Sequence, residues 1–287
     1  MPSKQDLRRR IRSVRSTRQI TKAMRMVAAA KLRRAQQRIM EARPYAAALT
    51  GVLQSLAAEV SPRHQPLLAE REERSVTLVV VTGDKGLCGA FNTNVLRQAQ
   101  ALLGGDRWAE VDLVVVGRKG GDFLKHRGFT PVASYPDLMR SVSPATAKEL
   151  AHTLAERFTS GATDAVYLLY NSFRSVIQQR VEFERLLPIE RAKFEATQVR
   201  TGYLFEPSPH ALIGQLLPRQ VEFHVLRVLL DSQAAEHAAR MTAMDAASKN
   251  AGEMIDRLTL TYNRARQASI TKELIEIVSG AQALAEG

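Results

Sequence analysis

Apolar residues recur in alternating steps of three and four along the N-terminal stretch. The stripe runs through Leu7, Ile11 and Val14, then Ala28, Leu32, Ala35, Ile39 and Ala42, then Ala46, Leu49, Leu53, Leu56 and Val60. Between Arg18 and Arg25 the seam moves over by one residue, to Ile20, Met24 and Val27. A near-heptad stripe of this length predicts a helix over residues 4–60 that pairs with another helix as a coiled coil. Pro44 opposes that expectation, because proline removes a backbone donor and kinks or breaks a helix. Ser61-Pro62 ends the element, and residues 62–74 read as a charged linker. After Pro207-Ser208-Pro209 the helical pattern returns and holds to the end, through Val221, Val225, Val228, Ala235, Ala238, Met241, Met244, Ala251, Ile255, Leu258, Tyr262 and Ala265. Only Pro218 and Gly252 interrupt it.

The middle of the chain has another texture. Val76–Val81 is a short, continuous, β-branched run, as a strand buried on both faces requires. Glycines at 83, 86 and 89 mark a turn, and a helix is expected around 94–103. Residues 111–116 and 165–170 read as further buried strands, 145–158 as a helix, and 176–187 as an alternating, more exposed strand. Strands alternating with helices indicate a parallel sheet. The expected fold class is therefore α/β: a long antiparallel coiled coil of N- and C-terminal helices plus a central Rossmann-like α/β domain. The expected boundaries are 1–61 for the first helix, 75–206 for the central domain and 209–287 for the last helix.

The two helical lengths differ. About 55 residues reach roughly 80 Å and about 75 residues roughly 110 Å at 1.5 Å per residue. Paired from a common base, the C-terminal helix overshoots. Its far end, with Ile270, Leu274, Ile277, Val278 and Leu284, spreads apolar atoms over a wide arc and implies a sleeve formed by other chains.

Charge adds a second asymmetry. The first 43 residues hold fourteen Lys and Arg against Asp6 and Glu41, a local excess equal to the net +12 of the whole chain. The rest is neutral. Such an arm calls for an acidic partner. Nucleic acid is one, although no aromatic residue lies between positions 1 and 44 to stack on bases. No apolar run approaches the roughly 20 residues needed to span a bilayer. The start, Met1-Pro2-Ser3-Lys4, leads into charge, so no secretory signal is expected. Cys88 is the only cysteine, which excludes an internal disulfide and fits a reducing compartment. The six histidines show no ligand spacing, so no metal, cofactor or catalytic residue is expected. The turn Gly83-Asp84-Lys85-Gly86-Leu87-Cys88-Gly89 follows a strand, as a phosphate-binding loop does, but it matches neither the P-loop nor the dinucleotide spacing. Nucleotide binding there and a tight turn are the two readings.

Three stretches carry a resemblance. They are Ile20-Thr21-Lys22-Ala23-Met24-Arg25-Met26-Val27-Ala28-Ala29-Ala30-Lys31, Gly86-Leu87-Cys88-Gly89-Ala90-Phe91-Asn92, and a C-terminal pair. The pair is Ala239–Met244 and the run from Leu258 to Leu274 that contains Tyr262-Asn263-Arg264-Ala265-Arg266-Gln267-Ala268-Ser269-Ile270. In this order and over most of its length the chain resembles the gamma subunit family of F-type ATP synthases, and its bacterial members in particular.

The resemblance implies a rotor shaft that is not itself catalytic. It implies a ring of alpha and beta subunits around the coiled coil, a foot on the epsilon subunit and the membrane c ring, and no insertion into the bilayer. The place is then the cytoplasmic side of a bacterial inner membrane. It assigns beta-subunit contacts to Lys22, Met24, Arg25, Lys85, Cys88, Arg240, Gln267 and Thr271, and the apolar bearing to the Ile270–Leu284 tip. Tyr203, Phe205 and Glu206 would face the c ring or epsilon. A basic coiled-coil nucleic-acid binder and a nucleotide-binding α/β enzyme remain the alternatives at this point.

Overall fold

The computed structural model describes residues 3–59, 65–190, 205–206 and 208–285, without the side chains of 57–59 and 282–285. The chain divides into two compact units, residues 28–240 and residues 1–27 with 241–287. Helices α1 (Lys4–Glu59) and α5 (Pro209–Ala285) contribute to both.

Residues 28–240 are organised by a five-stranded sheet in the order β3-β2-β1-β4-β5. Its strands are β1 (Ser75–Val81), β2 (Glu110–Val116), β3 (Ala133–Tyr135), β4 (Ala165–Phe173) and β5 (Gln179–Leu187). The first four run parallel, and β5 returns antiparallel at the edge. Successive side chains point to opposite faces of a strand, and the burial follows that rule. Val79, Val81, Val114, Val116, Val166 and Leu168 meet Leu49, Leu53 and Leu56 of α1, Val221 and Val225 of α5, and α4 (Pro144–Thr159). Leu78, Val80, Leu113, Val115 and Leu169 meet Val95, Leu96 and Ala99 of α2 (Phe91–Leu103) and Leu124 of α3 (Arg118–His126). With both faces covered, the central strands have no polar alternation to show. Ser143 and Thr146 form a reciprocal cap at the start of α4, which fixes where that helix begins.

Three local expectations are corrected. Pro44 does not break α1, and Pro218 does not break α5. One backbone donor is lost at each, but packing outweighs it: Tyr45 lies 5.9 Å from Phe223, ring to ring, and Leu49 and Leu217 enter the main core. The stretch expected as a charged linker contains a helical turn, Pro66–Leu68, that buries Leu67 and Leu68 and accepts the Ile189 N–H on the Leu67 carbonyl at 3.0 Å. Helix α3 begins directly after the glycine that follows β2. Gly117 has φ 92°, and a Cβ there would lie 2.1 Å from the Thr82 carbonyl oxygen, so the β2–α3 junction tolerates no other residue.

In the unit of residues 1–27 and 241–287, the two helices run antiparallel. Arg25 binds Asp245 at 2.9 Å, and Lys4 donates to Ser269 at 2.8 Å. The seam holds Leu7, Ile11, Met244, Ala251 and Ile255. Its shift differs from the expected one. Thr21 is buried while Ile20 and Val27 are exposed. Thr21 enters at little cost because its hydroxyl donates to the Arg18 carbonyl at 3.0 Å.

Candidate functional site

The basic arm forms a built cleft in the unit of residues 1–27 and 241–287. About 530 Å³ is enclosed by Arg15, Arg18, Gln19, Lys22 and Arg25 of α1 and by Asp245, Ser248, Lys249 and Ile255 of α5. Five cations thus face one carboxylate. Hydrogen bonds from Lys249 and then Arg25 hold the Asp245 carboxyl below the usual carboxylate range. Lys22 and Arg25, two of the residues to which the resemblance assigns a beta-subunit contact, line this cleft, and Met24 is half-buried beside them. Gln267 and Thr271 are both exposed on α5, four residues apart and so on one face.

Beyond the level of Lys4, which also approaches Glu273 at 3.7 Å, every residue of α5 from 274 to 281 is exposed. Ile270, Leu274, Ile275, Ile277 and Val278 leave between 47 and 67% of their surface open. The Leu284 side chain lies outside the described residues, as does Tyr203. Phe205 is half-buried and packs against the main core, and Glu206 is exposed.

In the unit of residues 28–240, the turn after β1 is closed by helix α5. Cys88 and Phe91 pack on Ala235, and the Glu236 carboxylate sits where a Cβ on Gly83 would lie 3.0–3.2 Å away. The space over Gly83 is therefore filled by the chain's own carboxylate, and the Gly83 N–H is taken by Asn92. Arg240 binds Glu236 at 2.6 Å and the Gly86 carbonyl at 3.2 Å. Lys85 and Leu87 are exposed, whereas Cys88 faces inward and burial pushes its thiol up from the ordinary range. Sequence reasoning named Lys85, Cys88 and Arg240 but missed Glu236 and Leu87. The Glu236/Arg240 spacing of four on one helix was the available signal.

A polar network joins β4 and β5 to α5. Glu184 meets His224 at 2.9 Å and Arg227 at 2.7 Å. Burial alone would raise the Glu184 carboxyl, but the His224 hydrogen bond and the Arg227 charge outweigh it and bring it down to about 2. The alternating pattern of β5 reads Glu184 as a surface group, because its partners, His224 and Arg227 of α5 and Tyr170 of β4, come from distant parts of the chain. Among the described residues no group of three or more His, Cys, Asp and Glu is placed to hold a metal, and no helix is long and apolar enough to cross a membrane.

The sequence profile of the family described as ATP synthase matches residues 3–284. The chain is 48% identical over 284 residues to the ATP synthase gamma chain of Pelotomaculum thermopropionicum, covering 99% of this chain and 100% of that one. The chain belongs to the ATP synthase gamma-chain family. The gamma chain of Chlorobaculum parvum is 47% identical over 292 residues, covering 99% of each. Among solved structures, the central stalk and c ring of Tetrahymena thermophila mitochondrial ATP synthase contains a chain that is 31% identical. That match has a TM-score of 0.63 and covers 80% of this chain and 99% of that one. A chain of the Euglena gracilis mitochondrial assembly of OSCP, F1 and c ring gives 0.67 at 20% identity, covering 98% of this chain and 94% of that one, a likeness of fold alone. The fold is the gamma-chain fold, with long terminal helices and a sheet that is mostly parallel. Full-length matches to gamma chains leave the nucleic-acid-binding reading without support.

Proposed function

We propose that this chain is the central rotor shaft of an F-type ATP synthase. It couples rotation of a membrane c ring to conformational cycling of three catalytic beta subunits. It performs no chemistry itself. Its role is to carry torque, with the 1–27/241–287 unit inside the alpha/beta ring and the sheet region at the foot with epsilon and the c ring. It acts from the cytoplasmic side of a bacterial inner membrane without entering the bilayer.

The observation that carries this reading is the uncovered end of α5. Residues 274–281 are exposed all round while four of them are Leu, Ile or Val. A helix end of that kind is stable in water only as part of a larger interface. Inside a ring, the apolar end supplies a bearing with no fixed polar bonds, and the side chains of Lys22, Met24, Arg25, Gln267 and Thr271 supply the surface that the beta subunits push against. Exposed ion pairs are worth only about 0–1 kcal/mol each, so a cationic cleft attracts acidic levers without locking them. Lys85 belongs to the beta-facing turn after β1, which Arg240 of α5 holds from behind, and Phe205, Glu206 and Tyr203 belong to the foot.

The test is reconstitution with alpha and beta subunits followed by ATPase and single-molecule rotation measurements. The unaltered chain is expected to assemble and rotate. Deleting residues 270–287 is expected to lower torque and coupled activity while the sheet region still folds, as read by circular dichroism. Full torque after that deletion would remove the bearing from the proposal. Failure of the intact chain to assemble would remove the rotor reading itself.

A further inference from the structure

The turn between β1 and α2 holds an exposed leucine in a left-handed backbone. Leu87 has φ 60° and is 65% exposed. A Cβ crowds the following carbonyl in this region, so L-residues avoid it, and a solvated isobutyl group gains nothing from burial. Two unfavourable features at one residue persist only when the surroundings over-determine the backbone.

The surroundings do so from three directions. Asn92 accepts the Gly83 N–H at 2.9 Å and donates to the Lys85 carbonyl at 3.4 Å. Asp84 accepts the N–H groups of Arg118 and Asp137, each at 3.0 Å. From α5, Arg240 donates to the Gly86 carbonyl at 3.2 Å and the Lys85 carbonyl at 3.5 Å, and its guanidinium is anchored by Glu236. The Arg240 side chain is only 13% exposed and that of Glu236 only 8%. Arg240 therefore has little surface left for another chain, while Lys85 and Leu87, on the turn that it holds, are open.

We propose that Arg240, held by Glu236, is a positioning residue that fixes the Gly83–Gly89 turn so that Lys85 and Leu87 project as a rigid contact for the beta subunit. Its effect on coupling passes through the turn and not through a bond of its own to the partner. The identity of that partner rests on the rotor reading; the clamp is a property of the isolated chain.

Cys88 offers a probe because it is the single cysteine, buried beneath the turn. On the isolated full-length chain, maleimide labelling of Cys88 is expected to speed up by about tenfold in Arg240→Ala, as loss of a charge-assisted clamp permits local opening. The Arg240 charge lowers the thiol's pKa and so favours the reactive thiolate, and its removal alone would slow the reaction. Faster labelling then reports access. Arg240→Lys is expected to restore part of the protection. Should Arg240→Ala lose its folded circular dichroism, Glu236→Gln, which keeps the shape but not the charge, carries the same test with a smaller rise.

In the reconstituted complex, Lys85→Ala/Leu87→Ala and Arg240→Ala are each expected to lower ATP-driven torque, and the triple variant no further than the worse parent. Unchanged labelling overturns the clamp. Faster labelling with unchanged torque reduces it to a structural bond, and additive losses of torque show that Arg240 acts separately; both overturn the proposal. If the unaltered chain does not assemble, the rotor reading fails, and labelling still decides the clamp.

Discussion

The two units of this molecule obtain their order differently. In residues 28–240 a sheet is covered on both faces, and Leu53, Leu56, Phe158, Leu168 and Leu187 are at most 1% exposed. In residues 1–27 and 241–287 the same two helices bury only a thin seam, Leu7, Ile11, Met244, Ala251 and Ile255 among it, and leave Ile20, Val27, Leu260 and the 270–278 apolar residues in water. The first region carries its stability within itself. The second has a surface whose apolar area makes sense only against other chains. Proposed as a rotor, the molecule thus joins a self-sufficient body to a partner-dependent one.

The largest expected effect breaks the self-sufficient part. Phe158→Ala should destabilise residues 28–240 by about 3–5 kcal/mol, since its ring is fully buried beneath Arg71 and the sheet. Chemical denaturation followed by circular dichroism measures it. A loss near zero would mean that the core is not closed as described.

Acid should act on the same region. Burial, followed by the Arg240 and Lys31 charges, lowers the His237 pKa from 6.5 to about 4, so the unfolded chain takes up the proton first. Stability is then full above 6.5 and falls as the pH drops towards 4, by up to about 3 kcal/mol. Glu184, lowered from 4.5 to about 2, extends the loss below 4.5 with the same sign, by about 2 kcal/mol after solvent screening. Burial pushes Glu236 and Asp231 upward, and they act in the opposite direction just above the ordinary carboxylate range. His237→Leu should flatten the upper part of the profile in urea titrations at several pH values; an unaltered slope would remove His237 as its source.

Smaller effects sharpen the contrast. Ile255→Ala in the thin seam should cost about 1–2 kcal/mol, at or below the low end for buried aliphatics, because the site is partly open and collapses easily. Hydrogen exchange should show the loss confined to the ends of α1 and α5. Spreading of the loss into the sheet would contradict the division into two units. Lys4→Ala should change the unfolding free energy least, within about 0.5 kcal/mol, since Lys4 and Glu273 are 45 and 63% exposed.

Much of this was legible in the chain itself. The continuous apolar runs announced β1, β2 and β4 because strands buried on both faces need no polar side. The heptad seams announced both long helices, and the basic residues of the arm announced a cationic surface. The short edge strand β3 and helix α3 were not legible. Three residues carry no period, and Gly120 lies inside the helix because Thr82 and Val115 leave no room for a Cβ there. Thr21 replaced Ile20 on the seam for a similar reason. Periodicity ranks residues by hydropathy, whereas helix phase is set by all the contacts along the pair.

By itself the sequence determined the periods, the excess of positive charge at one end and the surplus length of the last helix, since these depend on residue type and spacing alone. Tertiary structure decided which polar groups meet. Glu184 finds His224 and Arg227 40 residues or more away, and Arg240 closes over a turn 154 residues upstream. Hydrogen bonds act over about 3 Å, and no local pattern records which distant groups the fold will bring within that distance.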